Sequence, residues 1–262
     1  MSLTGKTKAS SYKDILQMNN SNSGVDTTTR NVVDGEGTAS AIHISDDVLV
    51  VTPQNDDTTG TFRVRDKDSN ALFVVDSSND VVKAGIGQHI VNTNIKEFAM
   101  DNAEENPNVA DTWYALTSTF NHNDSNEITM GTGSTPATTL TIANTASIAV
   151  KAYWYVPFPI TIDSAHCWFG ADSGDGDVVK FSVMSYTVDS ANGSTSGDLS
   201  SGVENCVSPD TISAAGREQI YFQQLTPSIA DVDAGKVILA CVSQDGTNSD
   251  LSVNMQLVYH LR

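Results

Sequence analysis

The chain has 262 residues and a formal net charge of −18, from 14 Lys and Arg against 32 Asp and Glu. Because anionic surfaces repel such a chain, nucleic acid and anionic membranes are excluded as expected partners. The sequence has no apolar run of membrane-spanning length, and its first residues lack the apolar core of a secretory signal. We therefore expect neither a membrane protein nor a Sec-exported one.

The first 40 residues form a polar segment in which large apolar side chains are scarce. Ile15, Leu16 and Met18 stand among Asn, Ser, Thr and Gly, and so few apolar groups cannot offset the entropy of ordering the chain. We predict that residues 1–40 are an extended arm, ordered only against a partner surface or identical chains. A disordered tail is the alternative.

Residues 41–96 predict a short β-meander. Short apolar runs alternate with polar turn clusters such as Asp66–Asn70 and Asp76–Asp80. The apolar side chains are too few to give an independent monomer a core. We expect association of identical chains to supply the missing layer, which makes this segment the predicted oligomerisation region.

An acidic connector is predicted at residues 97–111, followed by a β-sandwich at residues 112–262. Apolar runs in this last part are separated by Gly, Asn, Asp and Ser turns, with almost no helical periodicity, which is typical of an antiparallel β-sandwich of jelly-roll type. The predicted strands are Thr112–Phe120, Glu127–Met130, Thr138–Ile142, Ala149–Val156, Ile160–Phe169, Val178–Val188, Gln219–Leu225, Lys236–Ser243 and Leu251–Leu261. The predicted fold class is therefore all-β.

The densest acidic cluster places Asp172, Asp175 and Asp177 in one Gly-containing loop. Oxygen-rich loops of this kind suit calcium, but the spacing departs from the EF-hand pattern. A tight turn between strands explains the same residues through the turn preferences of Asp and Gly. Calcium binding is thus the weaker alternative, and we predict no cofactor.

No catalytic motif stands out in the sequence. The five histidines show no metal-ligand spacing, and neither a GxSxG nucleophile motif nor a Gly-rich phosphate loop followed by Lys is present. The many carboxylates do not single out a pair for glycoside hydrolysis. We predict that the protein is not an enzyme.

Aromatic residues occur as neighbours at Tyr153-Trp154-Tyr155, Trp168-Phe169 and Tyr221-Phe222. Adjacent residues of a strand face opposite sides, so within each group at least one ring faces outward or into an interface. The simpler interpretation is that these rings are buried in the core and in a subunit interface. A carbohydrate platform, with Tyr153, Trp154 and Tyr155 as possible glycan contacts, is the alternative.

The three cysteines, Cys167, Cys206 and Cys241, are widely spaced and contain no CxxC pair. An odd number without a pattern argues against a disulfide framework and is consistent with synthesis in a reducing cytoplasm. Cys167 and Cys241 lie in apolar runs, where burial as small hydrophobic side chains is expected.

Four parts of the sequence are similar to one group of known proteins. They are YKDILQMNNSNSGVD at Tyr12–Asp26 with DGEG at Asp34–Gly37, the meander segment Gly60–Asp80, the stretch Tyr153–His166, and the end of the chain at Asp245–Arg262. Together these stretches resemble virion fibre and appendage proteins of tailed marine bacteriophages, including tail-fibre-like and decoration proteins. The resemblance covers nearly the whole chain, but its motifs are structural and carry no catalytic residue.

The resemblance implies a homotrimeric virion protein, assembled in the host cytoplasm and exposing its C-terminal β-domain for host-surface contact. Its N-terminal arm would dock on a capsid, neck or tail protein through Tyr12, Ile15, Leu16 and Met18. A dimer or pentamer would satisfy the burial argument equally well. The alternative functions are a carbohydrate-binding module for a host surface glycan and a capsid-stabilising cement protein.

Overall fold

The computed structural model describes residues 15–21, 23–85, 87, 89–100, 109–118, 128–142, 146–171, 178–209, 211–212, 219–245 and 251–262. The chain divides into two compact units, Met1–Val91 and Asn92–Arg262, which we call the N-terminal unit and the C-terminal unit. Both are built from antiparallel strands, so the predicted all-β class is confirmed. None of the helices in the described ranges is long and apolar enough to cross a membrane.

The N-terminal unit contains two four-stranded sheets in which each strand pairs with the next one along the chain. The first sheet is formed by β1 (Gln17–Met18), β2 (Arg30–Val33), β3 (Ala39–Ile44) and β4 (Leu49–Val51). The second is formed by β5 (Phe62–Arg65), β6 (Ala71–Asp76), β7 (Val81–Ala84) and β8 (His89–Ile90).

The same carboxylate turn closes a hairpin in each of these sheets. Asp34 follows β2 and accepts the backbone N–H groups of Glu36 and Thr38 at 2.9 and 2.8 Å. Asp66 follows β5 and accepts the N–H groups of the residues two and four positions later at 2.9 and 2.8 Å. An Asp side chain that satisfies nearby backbone donors favours a tight turn over continued strand, which explains why these strands end where they do.

Part of the segment predicted as an arm lies in the first sheet. Gln17 pairs with Val33, and Arg30 pairs with Ile44. The reason is local: the turn at Asp34 brings β2 and β3 side by side, so they pair with each other. The attachment role of residues 1–40 and the oligomerisation role of residues 41–96 stay predictions.

The C-terminal unit contains twelve strands and one helix within its described residues. They are β9 (Thr93–Met100), β10 (Thr112–Ala115), β11 (Thr129–Thr132), α1 (Ala146–Ala152), β12 (Trp154–Val156), β13 (Ile160–Ala171), β14 (Val178–Val188), β15 (Leu199–Val207), β16 (Thr211–Ile212), β17 (Gln219–Pro227), β18 (Asp231–Val232), β19 (Lys236–Gln244) and β20 (Leu251–Leu261).

These strands form one curled sheet whose two halves face each other as a sandwich. The strand order is β11-β10-β19-β14-β15-β17-β13-β20-β9, and the halves join where β15 and β17 pair over two residues. We call the half containing β10, β14, β15 and β19 the covered sheet, and the half containing β9, β13, β17 and β20 the open sheet. At the other edge, Ala99 of β9 and Thr117 exchange two backbone hydrogen bonds of 2.9 Å.

Strand β19 of the covered sheet is buried on both faces. Ile238, Ala240 and Val242 point into the main core between the two sheets, whereas Leu239 and Cys241 point into a second apolar cluster on the outside. This second cluster is closed by α1, which contributes Ala149 and Ala152, and by the segment 137–142. A strand without a solvated face has a continuous apolar sequence, which matches residues 237–242.

The outer segment around Thr138 lies close to the covered sheet at Gly202 of β15. A Cβ at this position would lie 2.5 Å from the Tyr186 ring and 2.8 Å from the Cα of Thr138, so a side chain cannot be accommodated without movement. The Tyr186 hydroxyl donates a hydrogen bond of 2.8 Å to the carbonyl oxygen of Ala137. Glycine therefore allows the outer segment to lie against the sheet.

Three details of the C-terminal unit differ from the predictions. The unit begins with β9, which pairs with β20 from Thr93 to Met100, so it starts before the predicted connector at 97–111. Part of the predicted strand Ala149–Val156 is helix α1. Strand β15 was not among the predicted strands.

A core substitution tests the sandwich. Phe181 is buried between the sheets, with its ring centroid 5.2 Å from that of Phe169 on the open sheet. We expect Phe181→Ala to lower the free energy of unfolding by about 3–5 kcal/mol, because it removes a large buried ring and leaves a cavity. All three tryptophans lie in the C-terminal unit, so tryptophan fluorescence during urea unfolding reports on this unit.

Phe158→Ala is the matched control, because this phenylalanine is 62% exposed. We expect it to change stability by about 0.5 kcal/mol or less. Equal losses in the two variants would contradict the placement of Phe181 in the core.

Candidate interaction surfaces

The N-terminal unit buries almost none of its described large apolar side chains, which are exposed or half-buried. Among its described hydrophobic residues, Val33 and Val74 are the buried ones. The exposed set is Ile15, Leu16, Val25, Ile42, Val48, Leu49, Phe62, Val64, Leu72 and Val91. Every residue of β5 is exposed. Two small sheets with so little buried apolar area lack the core that independent stability requires.

Ile15 and Leu16, two of the residues predicted to dock on a virion protein, precede β1 and are exposed, Leu16 by 69%. Met18 lies in β1 opposite Val32 and is half-buried. Tyr12, the fourth predicted docking residue, lies outside the described residues. The docking role of these side chains stays a prediction.

An ion pair between a buried carboxylate and a partly exposed lysine links β6 to β7 in the second sheet of the N-terminal unit. The carboxylate of Asp76 accepts hydrogen bonds from Lys83 Nζ at 2.8 Å and from Asn79 Nδ2 at 2.9 Å. The bond from Lys83, followed by that from Asn79, holds the pKa of Asp76 below its usual value. Hydrogen bonds to Asp26, Asp34 and Asp66 lower the pKa of those turn carboxyls too.

These lowered pKa values make the N-terminal unit sensitive to acid. A carboxyl whose pKa is lower in the folded chain stabilises the fold above its unfolded pKa, near 3.9 for Asp, and this contribution is lost as the pH falls through the folded pKa. We expect hydrogen-exchange protection of residues 71–84, corrected for the intrinsic exchange rate, to fall between pH 6 and pH 3.

Asp76→Asn should reduce this protection at pH 6, because it leaves the Lys83 ammonium without its carboxylate partner. It should also weaken the dependence on pH. Asp80→Asn is the control, since Asp80 is exposed in the same turn and its positive φ of 54° suits Asn. Unchanged protection in Asp76→Asn would show that the ion pair does not stabilise the sheet.

The three rings predicted as glycan contacts do not present a common face. Tyr153 is half-buried against the outer cluster, and its hydroxyl donates a hydrogen bond of 3.0 Å to Gly197; burial, and to a lesser extent Asp198, raises the pKa of Tyr153 to about 12. Trp154 packs on the main core, with its ring centroid 5.0 Å from that of Tyr259. Tyr155 is exposed. Strand alternation and the double burial of the covered sheet separate these rings.

Exposed rings instead gather on the outer face of the open sheet. Trp168 on β13 lies directly opposite Phe222 on β17, and the two side chains are 52% and 57% exposed. Their ring centroids are 6.3 Å apart. His166, two residues before Trp168 on β13, also stacks on Phe222 at 6.0 Å and is held by a hydrogen bond of 2.9 Å between its Nε2 and the Ser164 hydroxyl.

Polar side chains continue the same rows across β20 and β9. Asn254 lies opposite Trp168, and Gln256 lies opposite His166. Gln256 in turn pairs with Glu97 and donates it a hydrogen bond of 3.4 Å. The face therefore combines rings on β13 and β17 with the amides of β20 and the Glu97 carboxylate of β9, and exposed Ile220 and Ile95 lie on β17 and β9 of the same face.

Sequence reasoning named Trp168 and Phe222 as members of aromatic pairs but did not assign their orientation. The informative signal is that both belong to alternating runs in which the neighbouring rings, Phe169 and Tyr221, stack on each other at 5.1 Å on the core side. Once Phe169 is placed inside, alternation places Trp168 outside.

The described residues contain neither a candidate metal site nor an exposed thiol. The weak calcium candidates Asp172, Asp175 and Asp177 lie outside these ranges, and within them no group of three His, Cys, Asp or Glu side chains could hold a metal ion. Cys167, Cys206 and Cys241 are free and buried, as predicted for Cys167 and Cys241. Burial raises the pKa of all three thiols, that of Cys206 to about 12.

No family model matches the chain, and no curated protein does. Solved structures show distant likeness: an aminopeptidase from a marine sediment Thaumarchaeota archaeon (10% identity, TM-score 0.29, 65% of this chain and 33% of that one) and a CocE/NonD family hydrolase from Staphylococcus aureus (4%, 0.32, 69% and 39%). A third likeness is to the CBM22-1-GH10 modules of a Clostridium thermocellum endo-1,4-β-D-xylanase complexed with xylohexaose. The identity is 13% and the TM-score 0.24, over 66% of this chain and 25% of that one. At these TM-scores the likenesses carry no argument about function.

Proposed function

We propose that this protein is an oligomeric structural protein of a phage virion, a short homotrimeric fibre or decoration protein. In this role the N-terminal unit associates with identical units and attaches to another virion protein through its first residues. The C-terminal unit is then the part that faces outward. The single observation that carries the proposal is the exposed apolar surface of the N-terminal unit.

The apolar surface favours association because its burial is the missing source of stability. The exposed side chains of β4 and β5, Leu49, Phe62 and Val64 among them, each contribute about 1.5–3 kcal/mol when fully removed from water. Ordering and association costs offset part of this gain. A surface of this kind on a small unit marks an interface between chains.

The distribution of charge also favours association through the N-terminal unit. Residues 1–91 carry eight basic and twelve acidic side chains, a net charge of −4, whereas residues 92–262 carry six and twenty, a net charge of −14. Electrostatic repulsion between identical copies is weakest where the units of smaller net negative charge meet. Strong negative charge on the C-terminal units keeps them apart from one another.

The first test is the mass of the full chain by light scattering. We expect about three times the chain mass of 27.9 kDa, because several copies are needed to cover the exposed strands. The double variant Leu49→Asp with Val64→Asp should fall to the mass of one chain, while its tryptophan fluorescence, which reports on the C-terminal unit, stays unchanged. A single-chain mass for the unaltered protein would refute the proposal.

Ile229→Asp is the matched control, because Ile229 is an exposed apolar residue of the C-terminal unit. It should retain the mass of the unaltered protein. Attachment is tested separately with Leu16→Asp, which should keep the oligomer but no longer copurify with virus particles. Absence of the unaltered protein from purified particles would remove the virion role and leave an oligomer of another kind.

A further inference from the structure

We propose that the outer face of the open sheet binds a neutral glycan. Sugar rings would stack on Trp168 and Phe222, and their hydroxyl groups would bond to Asn254, Gln256 and Glu97. The biological meaning of this site, contact with a polysaccharide on the host surface, rests on the proposed function, but the binding itself is measured independently of assembly.

The rings provide the apolar part of the site. Trp168 and Phe222 occupy directly opposed positions on neighbouring strands and are both more than half exposed. A pyranose has one face of C–H groups that packs on an aromatic ring, and rings held by strand backbone and neighbouring stacking lose little entropy on binding. His166 stacks on Phe222 at 6.0 Å and, with Trp168, restrains its ring.

Gly170 leaves a shallow notch beside these rings. It lies on the outer face of β13, two residues beyond Trp168, between Ile220 on β17 and Ser252 on β20. A Cβ at Gly170 would lie 3.9 Å from the carbonyl oxygen of Gln219, an ordinary van der Waals contact. The fold therefore does not require a glycine here. A glycine inside a strand is typical of a place where another molecule approaches the backbone closely.

The polar groups complete a surface suited to hydroxyl groups. Asn254 and Gln256 each offer both donors and acceptors, and Glu97 offers acceptors. Asn254 and Gln256 stand on β20, next to the strand of Trp168, and Glu97 stands one strand further on β9, with about 4.8 Å between neighbouring strands. Sugar hydroxyl groups both donate and accept hydrogen bonds. The amides of Asn254 and Gln256 and the carboxylate of Glu97 can therefore bond to hydroxyl groups of a sugar chain lying across the sheet.

The charge of the face favours a neutral ligand. Across the described outer rows of β9, β13, β17 and β20, the carboxylates are Glu97 and Asp163, and Asp163 is paired with His260 at 3.0 Å. The whole unit has a net charge of −14. A basic partner would be matched by more carboxylates, and a polyanion would be repelled. A second copy of the chain is disfavoured on this face for the same reason, since two strongly acidic units would meet.

Binding is tested with the full chain by surface plasmon resonance on four immobilised neutral polysaccharides: dextran, a mixed-linkage β-glucan, an α-mannan and a galactan. Heparin and alginate are the acidic comparators. We expect binding to at least one neutral polymer and to neither acidic one, with little change between 0.15 and 1 M salt because ion pairs are not involved. Soluble oligosaccharide from the bound polymer should also shift the fluorescence of Trp168, the most exposed tryptophan.

Three variants locate the site. Trp168→Ala and Phe222→Ala should each weaken binding by about tenfold or more, the loss expected when a stacking ring and its buried area are removed. Gly170→Val should weaken binding without lowering stability, because the added side chain fills the notch and suits a strand. Phe158→Ala is the control, an exposed ring away from this face, and should bind as the unaltered protein does.

The outcomes separate this inference from the proposed assembly. Binding to none of the neutral polymers, or equal binding by Trp168→Ala and the unaltered chain, would overturn the glycan site while leaving a trimer intact. A fall in mass by light scattering for Trp168→Ala would identify the face as an interface between copies and would also overturn it. A single-chain protein that still binds glycan would refute the trimeric fibre and retain the site.

Discussion

The burial of β19 on both faces is the constraint on which the C-terminal unit depends. Its alternate side chains serve two apolar clusters at once, the main core and the outer cluster under α1. The outer cluster therefore covers β19 on the side away from the main core, whereas the outer face of the open sheet is left to solvent. Trp168 and Phe222 are exposed on that face.

The two units differ in how far they bury their apolar side chains. The C-terminal unit completes its own core, concentrates negative charge and reserves one weakly charged face. The N-terminal unit satisfies its backbone through short hairpins and Asp turns but leaves its apolar side chains uncovered. Hydrogen bonding alone contributes little net stability, so the uncovered side chains decide how this unit behaves in solution.

The sequence predicted the all-β class and most long strands of the C-terminal unit, because runs such as Leu251–Leu261 alternate cleanly and end at turn residues. It did not predict β9, where Lys96 and Glu97 interrupt the apolar pattern. Helix α1 was interpreted as strand because its apolar residues run directly into Trp154–Val156. The exposed ring face could not be located, since alternation gives two opposite faces and only the partner layer shows which is covered.

The pairing at the edge strand β9 has a consequence for the proposed assembly. The two halves of the sheet join where β15 and β17 pair over two residues, and Ala99 of β9 exchanges two backbone hydrogen bonds with Thr117. Backbone groups paired in this way cannot accept a strand from a neighbouring molecule, which is a usual route to aggregation of β-proteins. In an assembly of the kind proposed, this pairing protects part of the β9 edge from joining the sheet of a neighbouring copy.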